Sequence, residues 1–582
     1  MAEGSRNSSR LLIWIAAIGA LIAISVTVAV LLLIQGGGPG FSQNPEWMVV
    51  RLDELSEAPV TQGLLADPED LPPLTSEMSL AIQTAADDED IKGIFLDLKP
   101  ASMGWAQAQE IRDALKTFTA SGKPCIVWSE QLTNLDYYVA TACDDIRLMP
   151  AGITLVNGLA ITQTYYAETL SELNIEPNFL HVGDFKSAVE PYERTGPSAP
   201  AAEATNYLLD SLYTQLLTGI SEGRTISMDA ARDLVNDPPM APDDALERGL
   251  VDALAYRDEV IDEIGEDRIS SRRYIKNKRV GWASGDKKIA VIYASGTIMS
   301  GESGSSLFGG NAIGDQTVIN QLNEARDDDE VAAIVLRVNS PGGSGSASDR
   351  MWRAIQLAKE NKPFVVSMGD YAASGGYYMS MSADRIFAEP GTLTGSIGVF
   401  GGKLDLSGLY EENLKMSIVT FQRGDNAALL SSNHGFNEDG ERIYKSFLEG
   451  FYTTFITKVG EGREMSVEDV HEVAQGRVWT GEQALERNLV DELGSVNDAI
   501  EYAAAQAAVE DYGILRIPQQ KTFMETLLEE LAEPSDDQAR ALVAELPAPM
   551  RDAFRMSAQL EWALGSEGPG AAAMLPFEIT VR

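Results

Sequence analysis

The segment Asp370-Tyr-Ala-Ala-Ser-Gly-Gly-Tyr377 sets one serine, Ser374, among small residues where an expected strand and loop give way to an expected helix, Gly375 to Asp384. A serine at a helix start is ordinarily an N-cap. Flanked by Ala and Gly it is also a nucleophile with room beside it for an extended peptide. Some thirty positions earlier, Asn339-Ser-Pro-Gly-Gly343 follows a second expected strand. A Pro-Gly-Gly turn is common in any fold, yet it also presents backbone N–H groups with no side chain in the way. The N–H groups of Gly343 and Gly375 together suit an oxyanion hole, whose donors must sit about 3 Å from the developing charge.

A nucleophilic hydroxyl needs a base. Asp370 is close in sequence but is a weak proton acceptor at an ordinary carboxylate pKa. Of the three histidines, His181, His434 and His471, the last two stand in polar, loop-like or helical surface contexts with no evident Asp partner. What remains is a lysine made neutral by burial, since desolvation lowers an amine's pKa. Lys186 stands in His181-Val-Gly-Asp-Phe-Lys-Ser-Ala-Val-Glu-Pro191, after an apolar strand spanning Asn178 to Val182. Taken alone, a lysine is ordinarily a solvated surface group.

An internal repeat changes that balance. Glu247-Arg-Gly-Leu-Val-Asp-Ala-Leu254 matches Glu486-Arg-Asn-Leu-Val-Asp-Glu-Leu493, and Gly122-Lys-Pro-Cys-Ile-Val-Trp128 matches Asn361-Lys-Pro-Phe-Val-Val-Ser367. Ile91-Lys-Gly-Ile-Phe-Leu-Asp-Leu98 matches Val331-Ala-Ala-Ile-Val-Leu-Arg-Val338, and Trp47–Arg51 matches Lys288–Ile292. The order is kept at a period of about 240 positions, the mark of a tandem duplication. Opposite Ser374 the first copy has Asn134, and opposite Pro341-Gly-Gly it has Pro100-Ala-Ser. Opposite Lys186 the second copy has Phe421-Gln-Arg-Gly-Asp-Asn-Ala427, without a lysine. Each copy lacks what the other keeps, so one site shared between the copies is expected.

Each copy has an α/β pattern. Ala332 to Val338 and Pro363 to Met368 are strands buried on both faces, and Met351, Ile355 and Ala358 recur at helical spacing within Ser346 to Lys359. Strand, glycine-rich turn, helix and strand in that order build a mainly parallel sheet. The polar stretch Arg257 to Asp286 is expected to connect the copies.

The paired motifs resemble the long-form signal peptide peptidase A family, also called protease IV. The likeness covers about residues 45 to 510 and rests on Asn-Ser-Pro-Gly-Gly, Ala-Ala-Ser-Gly-Gly-Tyr, Leu-Thr-Gly-Ser-Ile-Gly and Lys-Ser-Ala-Val-Glu-Pro. The resemblance implies a ClpP/crotonase-like fold in each copy and a Ser-Lys dyad assembled across them. Ser374 is then the nucleophile, Lys186 the general base, and Gly343 and Gly375 the oxyanion donors. Ser396, in Thr394-Gly-Ser-Ile-Gly398, would orient the lysine amine, although a turn hydroxyl is the plainer reading of that residue. The resemblance further implies cleaved signal peptides and other apolar chains as substrates. It also implies a homo-oligomer, a tetramer, and requires neither metal nor other cofactor. Three rivals are a crotonase-type acyl-CoA enzyme, a ClpP-like Ser-His-Asp protease and a non-catalytic membrane scaffold of the same fold.

The rest of the composition bounds this reading. With 582 residues the chain exceeds one ordinary core. Its 87 acidic against 45 basic residues give a net charge of −42, which disfavours nucleic acid and anionic lipid headgroups. Leu11 to Ile34 is an apolar run free of charge and long enough to span a bilayer. Arg6 and Arg10 precede it, so residues 1–10 are expected in the cytoplasm and everything after a linker at 35–46 across the membrane. In a bacterium that places a single-pass protein in the inner membrane with its catalytic domains in the periplasm. Residues 47–285 and 286–513 are the expected repeats, and 514–582 form an extension with no assigned role. Cys125 and Cys143, the two cysteines, are expected as buried free thiols, with a disulfide as the alternative outside the cytoplasm.

Overall fold

Nearly continuous Val, Ile and Leu runs become parallel strands because both of their faces are covered. The computed structural model describes residues 46–53, 55–59, 72–100, 103–278, 285–305, 311–518 and 572–574. The expected span 11–34 and the segment before it lie outside these residues, as do Ala101 and Ser102 and most of the C-terminal extension. Among the described residues, no helix is long and apolar enough to cross a membrane.

The first copy holds β1 (Trp47–Val50), β2 (Gly93–Leu98), β3 (Cys125–Thr133), β4 (Asp145–Leu155), β6 (Ala253–Leu254) and β7 (Arg268–Ser270), with β5 (Glu176–Val182) leaving this group. These six strands form one parallel sheet in the order β6-β4-β3-β2-β1-β7. The second copy repeats the plan with β8 (Lys287–Ser295), β12 (Val331–Ser340), β14 (Phe364–Ala373), β15 (Arg385–Ala388), β19 (Glu492–Leu493) and β20 (Tyr512–Ile517). Here β19 pairs with β15, β15 with β14, β14 with β12, β12 with β8 and β8 with β20, all parallel. The strand order matches that of the first copy, so the duplication seen in sequence is a duplication in space.

Helices cover the sheets as the periodicity requires. The helix α1 (Trp105–Ala120) buries Ile111, Ala114, Leu115 and Phe118 in the first core. The helix α2 (Gly345–Lys359), capped by Ser344, buries Met351, Ile355 and Ala358 in the second. The stretch Arg257–Asp286 is more than a connector. It holds two short helices and β7, which completes the first sheet beside β1. Val260, Ile264, Ile269, Tyr274 and Ile275 are buried there, apolar positions scattered among charges that the average composition conceals.

The cysteines also differ from expectation: Cys125 and Cys143 form a disulfide with a Cα–Cα distance of 4.9 Å. Cys125 opens β3, and the chain returns to the same end of that strand after the helix Asn134–Ala140. There the Asp144 N–H donates to the Cys125 carbonyl (3.2 Å), which fixes the two backbones side by side.

The copies are locked together by buried charge. Arg337 on β12 donates to Glu57 Oε1 (2.5 Å) and Glu110 Oε2 (3.0 Å), both from the first copy, and to Ser367 Oγ (2.8 Å). Asp370 on β14 accepts from the Ala106 (2.9 Å) and Gln107 (3.3 Å) N–H groups at the N-terminus of α1. Burial raises both carboxyls: Glu110 is pushed up to about 7 against the pull of Arg337, and Asp370 to about 7 with help from the nearby Glu57 charge. Removing the guanidinium would leave Glu57 and Glu110 without their shared counter-charge. Arg337→Ala is expected to lose about 3–5 kcal/mol of stability. Chemical denaturation measures this directly, and a change too small to resolve would show that the cluster does not hold the copies together.

Candidate active site

Ser374 sits at an abrupt change of direction. Strand β14 ends at Ala373, Ser374 adopts φ 54° and ψ −108°, and helix α3 (Gly375–Ser380) begins at the next residue. A positive φ is costly for a residue with a Cβ, and such strain persists only where its surroundings enforce it. Here the Ser374 N–H donates to the Gly395 carbonyl (2.7 Å), and its own carbonyl accepts the first helical bond from Tyr378 (2.8 Å). The hydroxyl makes no capping bond to the helix it precedes. Ser374 therefore stands at the N-cap position without capping the helix through its side chain, which is fully buried with its Oγ turned elsewhere.

It turns towards Lys186. The segment that carries Lys186 reaches the second copy through β5, which pairs antiparallel with β17 (Val399–Asp405) from Val182↔Val399 to Glu176↔Asp405. The chain then bends at Gly183, φ 108°, where a Cβ would lie 2.4 Å from the Gln475 carbonyl carbon. The Phe185 N–H donates to the Gln475 carbonyl (2.9 Å), and Arg477 lies over the Phe185 ring at 4.7 Å. Held this way, Lys186 is fully buried, with its Nζ 2.9 Å from Ser374 Oγ, 2.9 Å from Ser396 Oγ and 3.0 Å from the Ser396 carbonyl oxygen. Ser396 is itself in a left-handed conformation, φ 50°, fixed by its N–H donating to the Arg477 carbonyl (2.8 Å).

The electrostatics follow from that shell. All three partners of Nζ are uncharged oxygens, and burial alone drives the Lys186 pKa well below its ordinary 10.5. An ammonium with no counter-ion is strongly disfavoured in such surroundings, so burial favours the neutral amine.

Two glycines that sequence reasoning gave no role make this possible. A Cβ on Gly476, φ 81°, would lie 2.5 Å from Lys186 Cβ, and one on Gly398 would lie 3.2 Å from Lys186 Cδ. The lysine stem runs through a gap that exists only because both positions lack side chains. Gly398 ends the Thr394–Gly398 motif, whereas Gly476, beside Arg477, lies in none of the motifs.

The segments that carry the expected oxyanion donors lie side by side. Strand β13 (Gly342–Ser344) packs against β9 (Thr297–Met299) so closely that a Cβ on Gly343 would lie 2.1 Å from the Ile298 carbonyl oxygen. Gly375 occupies the first position of α3, where a helix leaves N–H groups without intrahelical partners. The turn and the helix abut, since a Cβ on Gly376 would lie 2.8 Å from the Ser340 carbonyl oxygen. The histidines do not join them. His181, His434 and His471 bond to the Gly183 carbonyl, the Gly435 carbonyl and the Tyr452 hydroxyl respectively. Asp370 is occupied in capping α1.

The model of Peptidase family S49 matches residues 117–269 and 356–510, one stretch in each copy and together more than half of the chain. The chain belongs to peptidase family S49. Among curated proteins it is 33% identical over 438 residues to the chloroplastic serine protease SPPA of Arabidopsis thaliana, an alignment covering 73% of this chain and 64% of that protein. It is 34% identical over 499 residues to Protease 4 of Salmonella typhi, covering 81% and 78% respectively. It is also 35% identical over 234 residues to a putative signal peptide peptidase SppA of Enterococcus faecium, covering 40% of this chain and 67% of the other. As an S49 member, the protein is a serine peptidase.

Substituting Gly476 by Ala is expected to displace the Lys186 stem and to lower kcat/KM about 100-fold, the effect of a misplacement near 1 Å. Steady-state hydrolysis of an apolar peptide, with circular dichroism confirming the fold, tests this. Unchanged kcat/KM would show that the gap around the lysine is not required.

Proposed function

We propose that this S49 peptidase works by a Ser-Lys dyad, with Ser374 as nucleophile and Lys186 as general base. The observation that carries the reading is the 2.9 Å approach of a counter-ion-free, buried amine to the Ser374 hydroxyl. A neutral amine has two N–H donors and one lone pair. Spending both donors on the Ser396 hydroxyl and carbonyl leaves the lone pair facing Ser374 Oγ. Lys186 then takes the hydroxyl proton as Ser374 attacks the scissile carbonyl, and the tetrahedral oxyanion rests on the Gly343 and Gly375 N–H groups. The new ammonium returns its proton to the leaving amine, and water repeats the sequence on the acyl-enzyme. Ser396 orients the lysine throughout.

The substrates we infer are extended apolar peptides, cleaved signal peptides above all. The flanking residues of Ser374 are small, and the matched relatives include a putative signal peptide peptidase. The charge-free run Leu11–Ile34 supports an anchor in a bacterial inner membrane, with both repeats on the periplasmic side. The disulfide between Cys125 and Cys143 suits such an oxidising compartment. A ClpP/crotonase-like reading of each repeat and a homo-oligomeric assembly are part of the same proposal.

Ser374→Ala and Lys186→Ala are each expected to reduce kcat/KM by about 1,000-fold or more, with the double variant no worse, because members of one catalytic unit are not additive. In the wild type, kcat/KM should rise with pH as Lys186 loses its proton and level off well below pH 10.5. A Lys186→Ala enzyme retaining most activity, or a profile still climbing at pH 10, would contradict the assignment of the base.

A further inference from the structure

The segment Gly476-Arg477-Val478-Trp479 leads to Thr480, the N-cap of the helix Gly481–Leu485. Its counterpart in the first copy, Asp237-Pro-Pro-Met240, leads to Ala241, the N-cap of the matching helix Pro242–Glu247. The two stretches hold the same place in the duplicated fold, so the fold by itself does not call for a guanidinium and an indole there. The copy that carries Ser374 has them. Arg477 lies over the rings of Phe185 (4.7 Å), Trp479 (4.6 Å) and Tyr207 (5.2 Å), and Arg487 lies over Trp479 at 3.9 Å. Phe185 is the chain neighbour of Lys186, and Tyr207 belongs to the first-copy helix Ala199–Arg224. The same segment also braces the serines. The Arg477 carbonyl accepts the Ser396 N–H (2.8 Å). Trp479, on β18 (Val478–Thr480), stands opposite Thr394 of β16 (Leu393–Gly395), and a Cβ on Gly395 would lie 2.9 Å from the indole Cδ1. The Gly395 carbonyl in turn accepts the Ser374 N–H (2.7 Å).

Polar bonding of its side chain does not account for Arg477. Its ion pair is with Glu203 (2.7 Å), a side chain 62% exposed, and such pairs contribute little. Among the described residues its Nε is buried with no hydrogen-bond partner, a cost that an apolar side chain would avoid. What an apolar side chain would not supply is a flat cation stacked among rings from both copies. We infer that Arg477 and Trp479 are positioning residues, which set the separation of Lys186 Nζ from Ser374 Oγ by stacking on Phe185 and bracing Gly395. The inference rests on the dyad reading for the meaning of that separation, and on the geometry of the stack for how it is set.

The test uses the full chain with Arg477→Met, which keeps an unbranched stem and removes the flat cation. On an apolar peptide kcat should fall about 100-fold while KM stays within about 2-fold, because the amine shifts and the peptide's own contacts do not. The rise of kcat/KM with pH should also move up by about one pH unit. Looser packing lets water reach the amine and a neighbouring cation has gone, and both changes favour the ammonium. A merely structural defect would lower the active fraction without moving the profile. Arg477→Lys keeps the charge and disturbs the fold least. It should recover no more than about 10-fold of the loss, since an ammonium cannot stack as a plane. Glu203→Gln should match the wild type within about 2-fold. An unchanged pH profile in Arg477→Met, full activity in Arg477→Lys, or a loss in Glu203→Gln as large as that in Arg477→Met would each overturn the inference. Lys186→Ala retaining its activity would instead overturn the dyad reading, and with it the object that the stack positions.

Discussion

The proposed chemistry depends on keeping one amine uncharged. Lys186 is enclosed completely, and its Nζ meets only the hydroxyls of Ser374 and Ser396 and one carbonyl oxygen. A carboxylate at the same distance would stabilise the ammonium, so it is the lack of charge around the nitrogen that favours the neutral amine. The arrangement has a thermodynamic cost with a definite sign. Between its lowered folded pKa and the ordinary 10.5, the unfolded chain binds a proton at this lysine that the folded chain does not. Its contribution therefore makes the fold more stable as pH rises through that window, by about 1.4 kcal/mol per unit. The rest of the molecule has to supply that stability within the window.

Much of the architecture can be understood as meeting that demand from two directions. Each copy has a parallel sheet of the same strand order, but the first copy extends β5 out of its own sheet to pair with β17 of the second. That arm delivers the lysine, and the glycine gap at Gly398 and Gly476 receives it. The position of the arm depends on how the copies dock, which the Arg337, Glu57 and Glu110 cluster and the Asp370 cap of α1 fix. Asp370 lies on the strand that ends just before Ser374, so the docking contact and Ser374 share one element. Divergence after duplication then becomes intelligible. Once a site spans both copies, the first copy is free to replace its serine with Asn134, which instead bonds the Gly158 backbone, and the second is free to lose its lysine.

The features legible in sequence were those with short-range or repeated signals. Buried strands announced themselves as aliphatic runs, α2 by its spacing, and the duplication by matched segments in order. Ser374 and Lys186 emerge from asking which copy lacks what, and Ser396 from the family resemblance; the structure places Lys186 within hydrogen-bond distance of both serines across 188 and 210 positions of chain. Features that depend on three-dimensional return of the chain were not legible. Cys125 and Cys143 meet because a strand and helix double back, which spacing alone does not reveal. The β7 segment looked like a linker because its five buried apolar residues are diluted by charge. Gly476 had no visible purpose until the lysine stem was seen passing it, and the tail strand β21 (Ala572–Met574) is too short and too alanine-rich to carry a strand signal.

The claim that most depends on physics is that Lys186 is neutral in the folded enzyme near pH 7. It is tested most directly by nuclear magnetic resonance of protein carrying 13C at the lysine ε-carbon, with the Lys186 signal assigned by its loss in Lys186→Met. The expected result is an ε-carbon that completes its titration well below pH 10.5 while the surface lysines titrate near their ordinary value. A Lys186 signal that titrates with the surface lysines would mean that the amine is charged at neutral pH, and the account of this site as a Ser-Lys dyad would fail.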